Sequence, residues 1–271
     1  MVFLSDYGLR DEFVGIVHRV VSSVAPAVRV IDLTHLVPPH RVRAGALTLW
    51  RCAPWLHDSV VLAVVDPGVG TPRRPVAIEI AGSGTVLVGP DNGLLLPAAH
   101  ALGPITSAVH LAAPRSEPSR PPGSGSTFDG RDLFAPVAAR IASGELAAGN
   151  AGDPIDPGSL IGDPVPSPVQ EEGGGVRCEV LWVDRFGNAQ LNARPADLAH
   201  LGDPLGVVTH KGGSPREARQ AAAFGDLGDG ELGLVTDSYG LVALSFNASP
   251  AAECLGIREE DSVWLGPAAD G

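Results

Sequence analysis

Apolar and polar positions follow two rhythms over the first ninety or so residues. Val2 to Ser5, Val28 to Leu33 and Val60 to Val65 are short apolar runs rich in β-branched residues, the pattern of buried strands. Between them the period becomes helical. From Asp11 to Val24, residues Phe13, Ile16, Val17, Val20, Val21 and Val24 fall on one side, with Asp11 suited to the helix start and Ala25-Pro26 to its end. Val42 to Cys52 reads as a second helix. Strand, helix, strand, helix, strand is the rhythm of a parallel sheet with crossover helices. Val76 to Ile80 and Thr85 to Val88 add two strands around a Gly82-Ser83-Gly84 turn, and a helix is expected from about Asp132 to Ala142.

The pattern then changes. Residues 113 to 126 are rich in Pro, Ser, Arg and Gly and read as a surface loop. Gly, Pro and Asp dominate from Gly144 to Gly175, which places a boundary there. The expected division is an α/β N-terminal domain over 1–163 with a mostly parallel central sheet, a linker over 164–175, and a smaller β-rich domain over 176–271. Within that last domain, Arg177 to Val183, Leu205 to Thr209, Leu232 to Val235, Leu241 to Phe246 and Val263 to Leu265 read as strands, with a short helix near Pro250 to Leu255.

Composition narrows the class of function. Hydrophobic residues make up 44% of the 271, enough for a sizeable core, and the formal net charge is −12. A chain so acidic argues against nucleic acid and anionic membranes, whose binding needs a basic face, and is compatible with a cationic small molecule. The 3 cysteines are widely separated and form no zinc or disulfide pattern, so no metal is expected. The N-terminus turns acidic too soon for a signal peptide, and no apolar run approaches the ~20 residues of a membrane span. A cytoplasmic protein is expected.

The candidate chemistry lies where strands end. Val64-Val65-Asp66-Pro67-Gly68-Val69-Gly70 stops a buried strand at an acid and follows it with two glycines. Ligands bind at the carboxyl ends of parallel strands, and glycines let backbone approach them. An ordinary turn containing Asp would read the same way, so this stretch alone leaves both readings open. Asp6, Asp32 and Asp91 recur at comparable positions, which favours one shared rim. His35 and His40 are possible ligands, although a loop histidine is more often solvated or capping. No P-loop, GxGxxG or GxSxG is present. In the second domain, Trp182-Val183-Asp184-Arg185-Phe186-Gly187-Asn188 again places an acid at a strand end, beside an aromatic that can stack on a purine and an amide that can read its edge. The competing reading is a hairpin turn with Phe186 in the core.

Together these stretches resemble the S-adenosyl-L-methionine hydrolase (adenosine-forming) family, the SAM hydroxide adenosyltransferases, relatives of the fluorinase and chlorinase enzymes. The resemblance is carried by Leu4-Ser5-Asp6-Tyr7-Gly8 with Asp11, Ile31-Asp32-Leu33-Thr34-His35, Val65-Asp66-Pro67-Gly68-Val69-Gly70 with Arg73-Arg74, and Val88-Gly89-Pro90-Asp91-Asn92-Gly93. Thr127-Phe128-Asp129-Gly130-Arg131-Asp132 and Asp184-Arg185-Phe186-Gly187-Asn188 continue it in the family's order. It implies a β-barrel-like second domain and a homotrimer whose active sites lie between the first domain of one subunit and the second domain of its neighbour. It also implies S-adenosyl-L-methionine as substrate, with no cofactor and no metal. Asp66 and Arg73 match catalytic positions, and Asp129 stands where the family usually has His. Asp6 matches the residue that holds the ribose hydroxyls, with Asp11 and Phe128 assigned to the same pocket. Asp184 matches the partner of the methionine ammonium, Phe186 and Asn188 the adenine contacts, and Ser238 a carboxylate contact. Tyr239 stands where the halogenating enzymes carry Arg, and the backbone of Ala248 adds an adenine contact.

The implied chemistry is in-line attack of water on ribose C5′, with neutral methionine leaving from a sulfonium. Asp66 is then the expected base and Arg73 the group that orients the water. Two carboxylates resist ionising together unless Arg73 lies between them. Two other readings stand beside this one. A halogenase is favoured by the room at Gly130 but opposed by Asp66 and Asp129 where a halide must sit. A binder of S-adenosylmethionine or adenosine with little turnover would follow from Asp129 in place of His.

Overall fold

The computed structural model describes residues 1–112, 125–162, 165–209 and 214–268. Its contacts divide the chain into two units, Met1–Pro164 and Val165–Gly271. The first unit contains β1 (Val2–Ser5), α1 (Phe13–Val24), β2 (Ile31–Thr34), α2 (Val42–Cys52), β3 (Val60–Val64), β4 (Pro75–Ile80) and β5 (Val86–Pro90), followed by α3 (Leu96–Leu102), β6 (Ile105–Leu111), α4 (Ala135–Ala142) and β7 (Gly152–Pro154).

These strands form one sheet in the order β2-β1-β3-β5-β4-β6-β7. The half containing β2, β1, β3 and β5 is parallel, and β4, β6 and β7 extend it antiparallel. Strand β3 explains the layering. Its side chains alternate, so Val60, Leu62 and Val64 join α1 and α4 on one face, while Val61 and Ala63 join α2 and α3 on the other. A strand buried on both faces has to be continuously apolar, which is what Val60 to Val65 displays.

Several boundaries differ from expectation for local reasons. Helix α1 begins at Phe13 rather than Asp11, because Glu12 occupies the cap position and no side chain caps the helix. Strand β2 begins at Ile31, since Val28 is still bound to Ala25 as the chain leaves α1. Asp32 therefore lies inside β2 rather than at its end. Helix α3 carries Pro97 in its first turn, where proline is tolerated, although in sequence it reads as a breaker. Of the expected 113–126 loop, only 125 and 126 fall within the described residues.

The second unit contains β8 (Val169–Gln170), β9 (Val176–Val183), β10 (Ala189–Leu191), α5 (Pro195–Leu198), β11 (Leu205–Val208), β12 (Arg216–Ala221), β13 (Gly233–Thr236), β14 (Val242–Ser245), α6 (Ala251–Leu255) and β15 (Ser262–Pro267). Its sheet runs β10-β14-β13-β12-β11-β15-β9-β8, and a further pairing of β10 with β9 closes every strand but β8 into a barrel. Closure removes the exposed edges an open sheet would present. Val176, Cys178, Val180, Leu191, Leu205 and Leu244 fill the interior. Val169–Gln170, within the stretch that reads as a linker, pair with β9 as β8. No helix of the described residues is long and apolar enough to cross a membrane.

The barrel interior gives a direct test of packing. Leu244 is fully buried, so Leu244→Ala is expected to cost about 2–5 kcal/mol, read as a lower denaturation midpoint in urea. Burial, with Asp197 nearby, pushes the Cys178 thiol up to about 12, so it should resist alkylation until the barrel opens. The variant is expected to speed Cys178 labelling while leaving exposed Cys254 unaffected.

Candidate active site

The end of β3 delivers Asp66, and the chain then folds back on itself. Val69 N–H donates to Asp66 O at 3.2 Å, and Thr71 binds Gly68 O through both its N–H, at 3.0 Å, and its hydroxyl, at 2.6 Å. Gly70 adopts a left-handed φ of 77° that an L side chain would resist. This turn returns Arg73 to the carboxylate. Its Nε lies 3.0 Å from each Asp66 oxygen, and its Nη2 is 2.5 Å from Oδ2. The same Nη2 donates to Asp129 Oδ2.

Asp129 arrives from far along the chain, just before a wide π-helical turn over Gly130–Phe134 that leads into α4. Such turns re-aim side chains that a regular helix would not converge. Phe134 from this turn backs the guanidinium, its ring centre 5.3 Å from Arg73 Cζ. The side chains of Asp66, Arg73 and Asp129 are only 6%, 11% and 22% exposed. Burial opposes the charge of Arg73, but the two carboxylates more than offset it and raise its pKa. Arg73 is a fixed cation between two acids.

Asp66 and Asp129 border a cleft of about 250 Å³ that is also lined by Asp6, Tyr7, Phe13, His40 and Phe128, with Arg73 behind the two carboxylates. Asp6 Oδ2 accepts the backbone N–H of His40 at 2.9 Å. Tyr7, Phe13 and Phe128 meet ring to ring, with centres 5.2 to 5.8 Å apart. Burial, followed by the charges of Asp6, Asp66 and Asp129, raises the Tyr7 pKa although Arg73 opposes it, so its hydroxyl stays a neutral donor. A Cβ at Gly130 would stand 2.0 Å from the Tyr7 hydroxyl oxygen. The room at Gly130 is therefore filled by Tyr7.

The remaining acids are engaged elsewhere. Asp91 is buried and holds Arg74 and the Ile161 N–H, tying β5 to the chain near Ser159. Asp32 bonds His18 at 2.8 Å. Burial pulls its carboxyl upward, but His18 and His35 outweigh that and leave its pKa below the ordinary value. Asp11 is exposed before α1 and does not line the cleft.

In the second unit, two loops are built on the same device. Asp184 Oδ1 accepts the N–H groups of Phe186 and Asn188 at 2.8 and 2.9 Å, and Oδ2 accepts Asn188 Nδ2 at 2.8 Å. Asp237 Oδ1 likewise accepts the N–H groups of Tyr239 and Leu241 at 2.8 and 3.0 Å, while Gln190 donates to Oδ2. An acid that binds its own loop fixes the shape of that loop. Phe186 is consequently held out to solvent, 74% exposed, which excludes the reading that put it in the core. The loops border a hollow of about 390 Å³ that includes Trp182, Asp184, Phe186, Asn188, Ser238 and Tyr239. A second hollow of about 430 Å³ shares Phe186 and Asn188 and reaches Ala248.

The SAM hydroxide adenosyltransferase N-terminal domain matches residues 1–151, and the C-terminal domain of the same family matches residues 178–264. The chain belongs to the SAM hydroxide adenosyltransferase family. A Salinispora arenicola protein named (R)-S-adenosyl-L-methionine hydrolase is 48% identical, over 96% of this chain and 95% of that one. A Thermus thermophilus protein of the same name is 39% identical over 97% and 98%. A protein from an Actinoplanes species named fluorinase is 26% identical over 93% and 92%. Among solved structures, an uncharacterized conserved protein from Thermotoga maritima superposes with a TM-score of 0.87 at 31% identity, covering 98% of this chain and all of that one.

Within this SAM hydroxide adenosyltransferase, the structure brings Asp6, Asp66, Phe128 and Asp129 around one cleft with Arg73 bridging the acids, and gathers Asp184, Phe186, Asn188, Ser238, Tyr239 and Ala248 around the hollows of the second unit. Sequence reasoning overlooked Tyr7 and Phe13 as cleft walls and Phe224 as a second exposed aromatic shared by both hollows. Phe224 follows a run of alanines and precedes Gly225, and a large ring in such a loop was the available signal.

The contact between Tyr7 and Gly130 can be tested by a double-mutant cycle. Gly130→Ala is expected to cost about 1–3 kcal/mol through overpacking. Adding Tyr7→Phe, which removes the obstructing oxygen, should recover most of the lost melting temperature. Additive losses would show that the two positions are not coupled.

Proposed function

We propose that this protein hydrolyses S-adenosyl-L-methionine to adenosine and L-methionine, with water attacking ribose C5′ in line with the departing sulfur. The observation that carries this reading is that Asp66 and Asp129, bridged by Arg73, line the first-unit cleft. A sulfonium already makes C5′ electrophilic and methionine leaves uncharged, so the protein has only to place the water and take its proton. Asp66 is the base. Arg73 orients the water, holds Asp66 and Asp129 in position and offsets their mutual repulsion, and Asp129 sits close by where the family resemblance implies His. The proton passes from water to Asp66 as the C5′–O bond forms and the C5′–S bond breaks, leaving the sulfur electron pair on methionine. No cofactor is called for by this chemistry.

The remaining assignments follow the same reading. Asp6 binds the ribose hydroxyls, and the Tyr7, Phe13 and Phe128 rings wall the cleft. Phe186 offers a face to adenine, Asn188 and the Ala248 backbone read its edge, and Asp184, Ser238 and Tyr239 take the methionine end. Asp11 lies away from the cleft lining and enters this reading through the resemblance. A homotrimer and a cytoplasmic location belong to this proposal too, and three free cysteines suit a reducing compartment. Light scattering of the purified protein tests the trimer.

A halide is disfavoured by the same geometry, since two carboxylates face one guanidinium and Tyr7 fills the space at Gly130. Incubating S-adenosyl-L-methionine with the enzyme, with and without chloride, and separating the products is expected to yield adenosine and methionine in both cases. Asp66→Asn should lower kcat by about 10²–10⁴ with a smaller change in KM. A 5′-chloro product would overturn the halide argument. Binding without turnover would make the protein a nucleoside binder, with Asp129 the cause. Phe186→Ala is expected to raise KM at least several-fold while leaving kcat within about twofold, and an unchanged KM would remove Phe186 from the adenine contact.

A further inference from the structure

Away from the cleft lies a cluster that the proposed reaction does not use. His18 projects from α1, Asp32 from β2, and His35 follows β2 by one residue. Nε2 of His18 is 2.8 Å from Asp32 Oδ1, and Nε2 of His35 is 3.1 Å from the same oxygen. The three potential ligand atoms all lie within 4.8 Å of one another. His35 is 3% exposed, and its Nε2 is buried with Asp32 Oδ1 3.1 Å away. Nδ1 of the same ring is 2.8 Å from Ser5 Oγ. The Phe3 ring packs against both imidazoles, with centres 4.5 Å from His35 and 6.2 Å from His18, and holds them facing Asp32.

We propose that His18, Asp32 and His35 form a binding site for one divalent transition-metal ion of the zinc type. Two imidazole nitrogens and one carboxylate oxygen are a borderline donor set that favours zinc, cobalt, nickel or copper over magnesium or calcium. In the tautomer that carries its proton on Nδ1, beside Ser5 Oγ, His35 presents the Nε2 lone pair to an ion on the Asp32 side, as ligation requires. Ser5 then acts as the outer partner that fixes the tautomer of a ligating histidine.

The dimensions are compatible with this. Ligand atoms around a tetrahedral ion with bonds of about 2.0–2.1 Å stand roughly 3.3 Å apart, against 2.8 and 3.1 Å from the two nitrogens to Asp32 Oδ1 and at most 4.8 Å between any two of the ligand atoms. The side chains of His18 and Asp32 are 36% and 44% exposed, which gives an ion a way in and leaves a fourth position for water. The bound ion would clip α1 to β2. Through Ser5, and through Gly8 N–H on His35 O at 2.8 Å, it would also steady the segment that presents Asp6 and Tyr7. The role is structural positioning, and it stands whether or not the proposed reaction does.

The test uses untagged, full-length protein stripped with chelator and titrated with cobalt(II). One equivalent is expected to bind with a visible absorption of low-coordinate, nitrogen-ligated cobalt, displaced by zinc, and zinc is expected to raise the melting temperature. His18→Gln and Asp32→Asn, both at the surface, should each weaken binding about tenfold or more while leaving the melting temperature of the stripped protein nearly unchanged. Absence of the cobalt spectrum together with no zinc-induced shift would overturn the site. Undiminished binding in both variants would overturn it as well, by placing the ion elsewhere.

Discussion

The first unit's cleft depends on a single cation held between two acids. Asp66 and Asp129 come from distant parts of the chain, and each is largely buried. Brought together alone they would repel in a setting where water cannot screen them. Arg73 makes the pairing possible. Its guanidinium bonds both carboxylates and rests on Phe134, so its orientation is set from three sides. Removing it would leave buried charge uncompensated, a larger penalty than the loss of one contact. The glycine-rich turn after β3, the π-helical turn before α4 and the Tyr7 ring over Gly130 are all arranged around that contact.

That constraint also separates the acids that line the cleft from those that brace the scaffold. Sequence places Asp6, Asp32, Asp66 and Asp91 in equivalent positions, yet only Asp6 and Asp66 line the cleft. Asp91 is distinguished by Arg74, the residue next to Arg73, which turns the other way to bind it and the Ser159 backbone. Adjacent arginines thus serve opposite ends of one loop, one toward the cleft and one into the scaffold. Asp184 and Asp237 show an intermediate case, acids spent largely on shaping the loops that display Phe186, Asn188, Ser238 and Tyr239.

Much of the fold was legible because it follows from burial. The parallel half of the first sheet announces itself through Val60 to Val65, apolar on both faces, and through the one-sided helix of Phe13 to Val24. Strand β12 was not legible. Arg216-Glu217-Ala218-Arg219-Gln220-Ala221 is composed of good helix formers, and it is a strand because β11 and β13 each require a neighbour for the barrel to close. The His18–Asp32–His35 cluster was hidden differently. Its members come from a helix, a strand and a loop, so no spacing in sequence brings them together. Tyr7 escaped as a wall of the cleft because its importance lies in the hydroxyl's fit against Gly130, a relation across more than a hundred residues.

The electrostatics of the cleft decide what kind of nucleophile it can serve. Asp6, Asp66 and Asp129 together outnumber the charge of Arg73, and Tyr7 stays neutral beside them. On the proposed reading, a field of that sign would attract a sulfonium and repel an anion, gathering the substrate while disfavouring halide at the attacking position. Water is the nucleophile least affected by the repulsion and the one that benefits most from it, because it arrives neutral and must lose a proton to a nearby carboxylate. Asp129, standing where the resemblance implies a histidine, would push this balance further in the same direction on the proposed reading. A second carboxylate costs little where Arg73 already bridges the pair, and it deepens the preference for a neutral nucleophile and a cationic electrophile.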